Sequence, residues 1–180
     1  NVPTEMLIEQ LVDATPVSEL RNRPEMRYMP AETVGNWVRA KESQLADRDY
    51  DAQVAALAVE LRRKLILELH RAGAGLLLGA DSPQIFNVPG FSLHRELEVL
   101  VAAGLTPWEA LYTGTVAVSE YLGSNTGSVA VGRAADLVLL DANPLEDIGN
   151  SRRIHGVMLR GAWFSAAALE DRLGRWRDGR

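Results

Sequence analysis

The pattern of apolar and polar positions changes character several times along the chain. From Asp51 to Ala72, residues Val54, Leu57, Ala58, Leu61, Leu65 and Leu69 follow helical spacing, with Glu60, Arg62, Arg63 and Glu68 off the stripe. This predicts an amphipathic helix whose stripe faces a core, closed by Gly73 in the left-handed position past its C-terminus. The run "AGLLLGADSP" follows. Its consecutive leucines predict a strand buried on both faces over Leu76 to Ala80, ending at the carboxylate of Asp81. Asp81 can start a turn at Asp-Ser-Pro, or it can be a reactive group delivered by the strand.

After the loop "SPQIFNVPGFS", Ser92 is placed to cap a helix through "LHRELEVLVAAG", closed by Gly104. Thr106, Pro107 and Glu109 have capping-box spacing and open a helix over Pro107 to Thr113. A further helix is expected over Val116 to Leu122, stopped by Gly123. The texture then shifts to short β-rich runs, "GSVAVGRAADLVLLDANP" and "IHGVMLRGAWF", with no room for crossover helices. They predict antiparallel strands of a small separate layer. In it, Leu137 to Leu140 form a strand packed on both sides, and Asp136 and Asp141 make turn contacts. Residues 166 to 180 read as a terminal helix. Toward the N-terminus, Met6 to Val12 suits a helix, and residues 13 to 50 look irregular around Pro16, Pro24 and Pro30, except for a helix over Glu32 to Ala46.

Composition alters this picture little. The 180 residues are 47% hydrophobic and 24% charged, which suits one core and a small second unit. A net charge of −5 without a basic stripe gives no support to nucleic-acid binding. No apolar run approaches the roughly 20 residues of a membrane span. The absence of cysteine excludes disulfides and thiolate metal sites. The sequence opens at Asn1 without a signal-peptide layout. An upstream targeting segment is left open, so localisation is unread beyond a leaning to the cytoplasm.

Four pieces stand in order: "LLLGADS", "SLHRELEVLVAAGLTPWEAL", "GSVAVGRAADLVLLDANPLEDI" and "IHGVMLRGAWF". Together they resemble the C-terminal part of the metal-dependent amidohydrolase superfamily, in its imidazolonepropionase-like and prolidase-like branch. The resemblance runs from about Leu65 to Phe164, and Val2 to Thr4 fit a preceding barrel strand. It implies an α/β fold, the last part of a (β/α)8 TIM-type barrel over residues 1–122, with strands of a small β-sandwich over 123–165. In such barrels the reactive groups gather at the C-terminal ends of the strands.

By that resemblance Leu76 to Ala80 stand for the last barrel strand. Asp81 then takes the family's aspartate position, touching the metal and carrying a proton from the attacking water to the leaving amine. Ala80 departs from the pattern, replacing the usual threonine. His94 matches the histidine before Glu-Leu, with hydrogen bonding inside the loop or contact with substrate both open. Gln84, Phe86 and Phe91 are candidate pocket walls, though Phe86 and Phe91 serve equally to pin the loop. Tyr28 and Arg27 could reach a substrate carboxylate or carbonyl. His70 and His155 read as structural.

The implied cofactor is a divalent metal, zinc, in a mono- or binuclear site. The family's His-x-His pair is missing, the histidines are His70, His94 and His155, and the lysines are Lys41 and Lys64. A complete barrel requires about 200 residues or more. The expectation is therefore a C-terminal portion of a hydrolase of C–N bonds in amides, cyclic amides or dipeptides, inactive alone. Most metal ligands would lie outside it. Hydrolytic deamination on the same barrel, or a non-catalytic interaction module, are the alternatives. The expected partners are a small-molecule amide or peptide substrate, the N-terminal remainder of the protein and, through exposed apolar surface, further copies of itself in a homo-oligomer.

Overall fold

The computed structural model describes residues 1–178, with side chains through Arg175. The chain opens with helix α1 (Glu5–Val12), a short α2 (Val17–Arg21), a 3-10 turn at Pro24–Tyr28, α3 (Ala31–Leu45) and the long α4 (Ala52–Arg71). After the leucine run come α5 (Phe91–Ala102), α6 (Pro107–Thr113) and α7 (Val116–Leu122). Strands β1 (Leu137–Leu140), β2 (Ile154–Leu159) and β3 (Ala162–Ser165) and helix α8 (Ala166–Asp178) complete the described chain. The last two positions of the expected terminal helix lie outside the described residues.

Local signals set most helix limits. Asp51 caps α4 through its side chain, accepting from Gln53 N and Val54 N, and Gly73 takes φ +75 beyond its end. The capping box at α6 forms in both directions: Thr106 Oγ1 accepts from Glu109 N, and Glu109 Oε2 accepts from Thr106 N at 2.7 Å. Ser92 does not cap α5. Gly90 stands at that position, and Ser92, already inside the helix, donates to Val88 O. Residues 13 to 50 are also more ordered than expected, because Leu20, Met26, Phe86 and Val88 bury together and fix α2 and the 3-10 turn against α3.

The largest correction concerns α4. Its buried residues are Ala55 and Ile66, whereas Val54, Leu57, Leu61 and Leu65 of the expected core stripe are 53–62% exposed. The orientation follows from charge pairing with α1. Arg63 holds Glu9 through two bonds of 2.6 and 2.7 Å, and Arg62 Nε donates to Glu5 at 2.8 Å. These pairs bring the flank carrying the arginines, not the leucine stripe, against α1.

The one sheet among the described residues is antiparallel, in the order β1-β2-β3, with Val138 opposite Val157 and Val157 opposite Phe164. β1 is not packed on both sides, since Val138 and Leu139 are exposed. Among the described residues the leucine run joins no sheet. It pairs with the start of the chain, where Asn1 N donates to Gly75 O at 3.1 Å and Leu77 N donates to Asn1 O at 2.8 Å. One residue bonding to both neighbours of the residue opposite is the pattern of a parallel pair. A ladder needs further neighbours, and Leu78 N turns instead to Thr113 O.

The main core joins Ile66, Leu76, Leu97, Leu100, Ala103, Leu105 and Ala110 with Ile148. Ile148 lies in the 3-10 turn Ile148–Arg152 that precedes β2, so the sheet region shares its core with the helices. A second tie is ionic. Lys41 on α3 is fully buried and donates to Gln10 O at 2.8 Å and Asp13 O at 2.6 Å, closing the C-terminal end of α1. Lys41→Met orphans these carbonyls and should cost about 2–3 kcal/mol in urea denaturation, where a change below about 0.5 kcal/mol would contradict the assignment.

Candidate functional site

The site candidate lies where the two paired segments end. A Cβ built on Gly79 would come within 2.5 Å of Val2 Cγ1, so a larger residue there would force the Val2 side chain to move. Each then breaks direction at a left-handed residue, Thr4 at φ +47 and Asp81 at φ +47. Thr4 leads into α1, and Asp81 leads into the loop before α5.

Glu96 on α5 sets the first turn of α1. Its Oε1 accepts from Glu5 N at 2.9 Å and its Oε2 from Met6 N at 2.8 Å, filling the donors that a helix start leaves unpaired. Glu96 is fully buried, and burial pushes its carboxyl up to about 7 despite the two backbone donors. Glu5, buried beside it, is also raised by burial, with Arg62 opposing the shift. Glu5 and Glu9 add repulsion that favours the neutral form of Glu96.

Asp81 is exposed, and Gln84 Nε2 donates to its Oδ2 at 2.6 Å. Beneath the loop, Asn87 donates from Nδ2 to Ala80 O and from its backbone N to Gln84 O at 2.7 Å. Gln10 on α1 reaches across to donate to Ile85 O at 3.3 Å. The loop is thus bound to its own ends and to α1.

Of the residues expected at the site, the structure brings together Asp81 and Gln84. Phe86 is 1% exposed and packs on Trp37 with ring centroids 5.8 Å apart, the arrangement that pins the loop. Tyr28 is 8% exposed and stacks on Phe91 at 5.3 Å, with its hydroxyl accepting from Arg27 Nη2 at 2.9 Å. Through Phe91 it adjoins the cluster of Leu20, Met26, Phe86 and Val88. His94 Nδ1 pairs with Ser151 Oγ at 3.0 Å, tying α5 to the turn before β2. Burial and then Arg152 hold its ring below the usual histidine range, with Glu98 opposing. His94 lines a cavity of about 500 Å³ with Glu25, Phe91, Arg95, Glu98 and Arg152, and Asp81 is not among its walls.

A larger cavity of about 840 Å³ lies along the beginning of the leucine segment, from Gly73 to Leu77, and also excludes Asp81. His70 lines it, bonded through Nε2 to Glu109 Oε1 at 3.0 Å. That contact, followed by Thr106, draws the Glu109 carboxyl down to about 2. His155 pairs with Asp141 at 2.9 Å on the sheet.

Sequence reasoning missed Asn87, Glu96 and Lys41. The available signal for Asn87 was a polar residue between Phe86 and Val88, and for Glu96 a carboxylate beside the apolar face of its helix. Among the described residues no three His, Asp or Glu side chains gather as a metal cage.

The amidohydrolase family model matches residues 24–164. The chain belongs to the amidohydrolase family. Among solved structures, a bottromycin amidohydrolase is 26% identical with a TM-score of 0.78, over 98% of this chain and 39% of that one. A putative prolidase from Bifidobacterium longum is 26% identical with a TM-score of 0.63, over the same two shares. A Xaa-Pro dipeptidase with bound methionine, 18% identical over 78% of this chain and 38% of that one, has a TM-score of 0.56 and shares the fold. The amidohydrolase chain thus spans about two fifths of the length of these structures. A comparison with curated proteins returned no match.

The raised Glu96 carboxyl predicts a pH dependence of stability. The folded state holds more protons than the unfolded one between about 4.5 and about 7, so stability falls as pH rises through that window. The slope attributable to Glu96 is at most about 1.4 kcal/mol per pH unit. Urea titrations at pH 5, 6 and 7 should show this component in the wild type and its loss in Glu96→Gln. Parallel slopes would contradict it.

Proposed function

We propose that this amidohydrolase chain is the C-terminal portion of a hydrolase acting on C–N bonds of amides, cyclic amides or dipeptides, and that Asp81 carries its proton. In this reading it completes a (β/α)8 barrel together with residues outside this chain, with Leu76 to Ala80 as a barrel strand. The observation that carries the reading is the placement of Asp81. It is an exposed carboxylate on left-handed backbone, at the end of a leucine run of which Leu76 is buried and Leu77 and Leu78 half-buried, within the region matched by the family. The bottromycin amidohydrolase and putative prolidase neighbours support the bond class.

In hydrolysis, water adds to the carbonyl carbon and the C–N bond breaks. The Asp81 carboxylate accepts a proton from that water as the C–O bond forms. It then releases the proton to the departing nitrogen, so the carboxylate is regenerated. Gln84, bonded to Oδ2, limits how the carboxylate can turn. The divalent metal expected for the family, zinc, finds one candidate ligand in Asp81 and no cage among the described residues, which do not fit it by themselves. Its remaining ligands lie outside this chain on this reading.

The test is hydrolysis by the full protein of a panel of N-acyl amides, cyclic amides and dipeptides, followed by amine release. Asp81→Asn should lower kcat/KM by a factor of about 10²–10⁴, the usual contribution of a positioned proton carrier. Equal activity of wild type and variant, or a wild type that hydrolyses none of the panel, would overturn the proposal.

A further inference from the structure

Asp81 has φ +47, in the left-handed region that aspartate tolerates better than most residues other than glycine. The direction in which its carboxylate points then depends on what holds the backbone beside it. The obvious restraint, Gln84, sits on the same loop, is itself exposed, and holds only the tip of the carboxylate. A restraint on the backbone has to come from elsewhere.

Asn87 supplies it. The side chain is fully buried, between Phe86 and Val88 of the second core. Its Nδ2 donates to the carbonyl of Ala80, the peptide that leads directly into Asp81. Its backbone N donates to Gln84 O at 2.7 Å, which holds the partner of the carboxylate. A carbonyl acceptor at Ala80 leaves one assignment for the amide, with nitrogen toward Ala80. One buried residue thus grips both the peptide before Asp81 and the residue bonded to Asp81, and its neighbours Phe86 and Val88 are anchored in the core.

We infer that Asn87 is a positioning residue for Asp81, setting the direction of the carboxylate through the Ala80 carbonyl without touching substrate. The inference rests on the proton-carrying role proposed above for Asp81. Displacing a reacting group by about 1 Å is enough to cost around 10²-fold in rate. Loss of the Nδ2 bond should therefore appear in kcat, with substrate affinity largely retained.

The experiment compares Asn87→Leu, Asn87→Asp and Asp81→Asn in the full protein, using the substrates of the same panel. Asn87→Leu keeps the bulk of the side chain and removes the donor. It should lower kcat about 10–100-fold with KM changed less than about twofold. Asn87→Asp can donate to Ala80 O only when protonated. Its kcat relative to wild type should therefore rise as pH falls, while the Asn87→Leu ratio stays flat. Circular dichroism checks that the variants are folded, and for an unfolded Asn87→Leu the pH-dependent ratio of Asn87→Asp decides.

The two readings fail differently. An inactive Asp81→Asn beside a wild-type kcat in Asn87→Leu, or a pH-flat ratio in Asn87→Asp, overturns the positioning role alone. An active Asp81→Asn, or a wild type inactive on the panel, overturns the proton-carrying role and the inference built on it.

Discussion

Glu96 is the contact on which the arrangement depends. Its carboxylate spans the first turn of α1, accepting from Glu5 N and Met6 N, and by doing so fixes that helix to α5. Lys41 closes the other end of α1, and the pairs Arg62–Glu5 and Arg63–Glu9 lay its length along α4. A helix of eight residues has little stability of its own, so this ring of buried and half-buried charge is what orients it. The consequence reaches the site. Thr4 opens α1, Asn1 pairs with the leucine segment, and the loop after Asp81 receives a bond from Gln10 of the same helix.

Burial of a carboxylate normally opposes folding, and here the raised proton affinity of Glu96 records that opposition. Two good backbone donors offset part of it, and the remainder is the cost of placing a carboxylate at a helix start inside the protein. Glu5 adds to it, since one of its oxygens, Oε1, is buried without a partner among the described residues. Charge at these positions therefore acts as a locator for α1 more than as a source of stability.

Elements governed by neighbours in sequence were legible. The capping box of Thr106 and Glu109, the glycines after α4 and α7, and the antiparallel strands after Gly123 follow from residues a few positions apart. What depends on partners distant in sequence was not. Periodicity located α4, yet within this chain the leucine stripe is exposed, and the sides turned inward are those carrying Ile66 and the arginines that meet Glu5 and Glu9 more than fifty positions away. The leucine run was recognisable as an element and remains short of a strand, having Asn1 for a neighbour and no second ladder. At the site, Asp81 was legible by its place in the family pattern and Gln84 by its place in the loop. Phe86 and Tyr28 were aromatic residues whose burial only the packing of α3 and the 3-10 turn could decide. Asn87 escaped notice because its function is a bond to backbone, which no residue pattern announces.

We propose that Asp81 is one group of a metal site whose other ligands lie beyond this chain. Metal analysis of the purified 180-residue chain, after dialysis against zinc and then buffer, tests it most directly. The account predicts far less than one zinc per chain, with no change on Asp81→Asn. One tightly held zinc per chain, lost in Asp81→Asn, would contradict it.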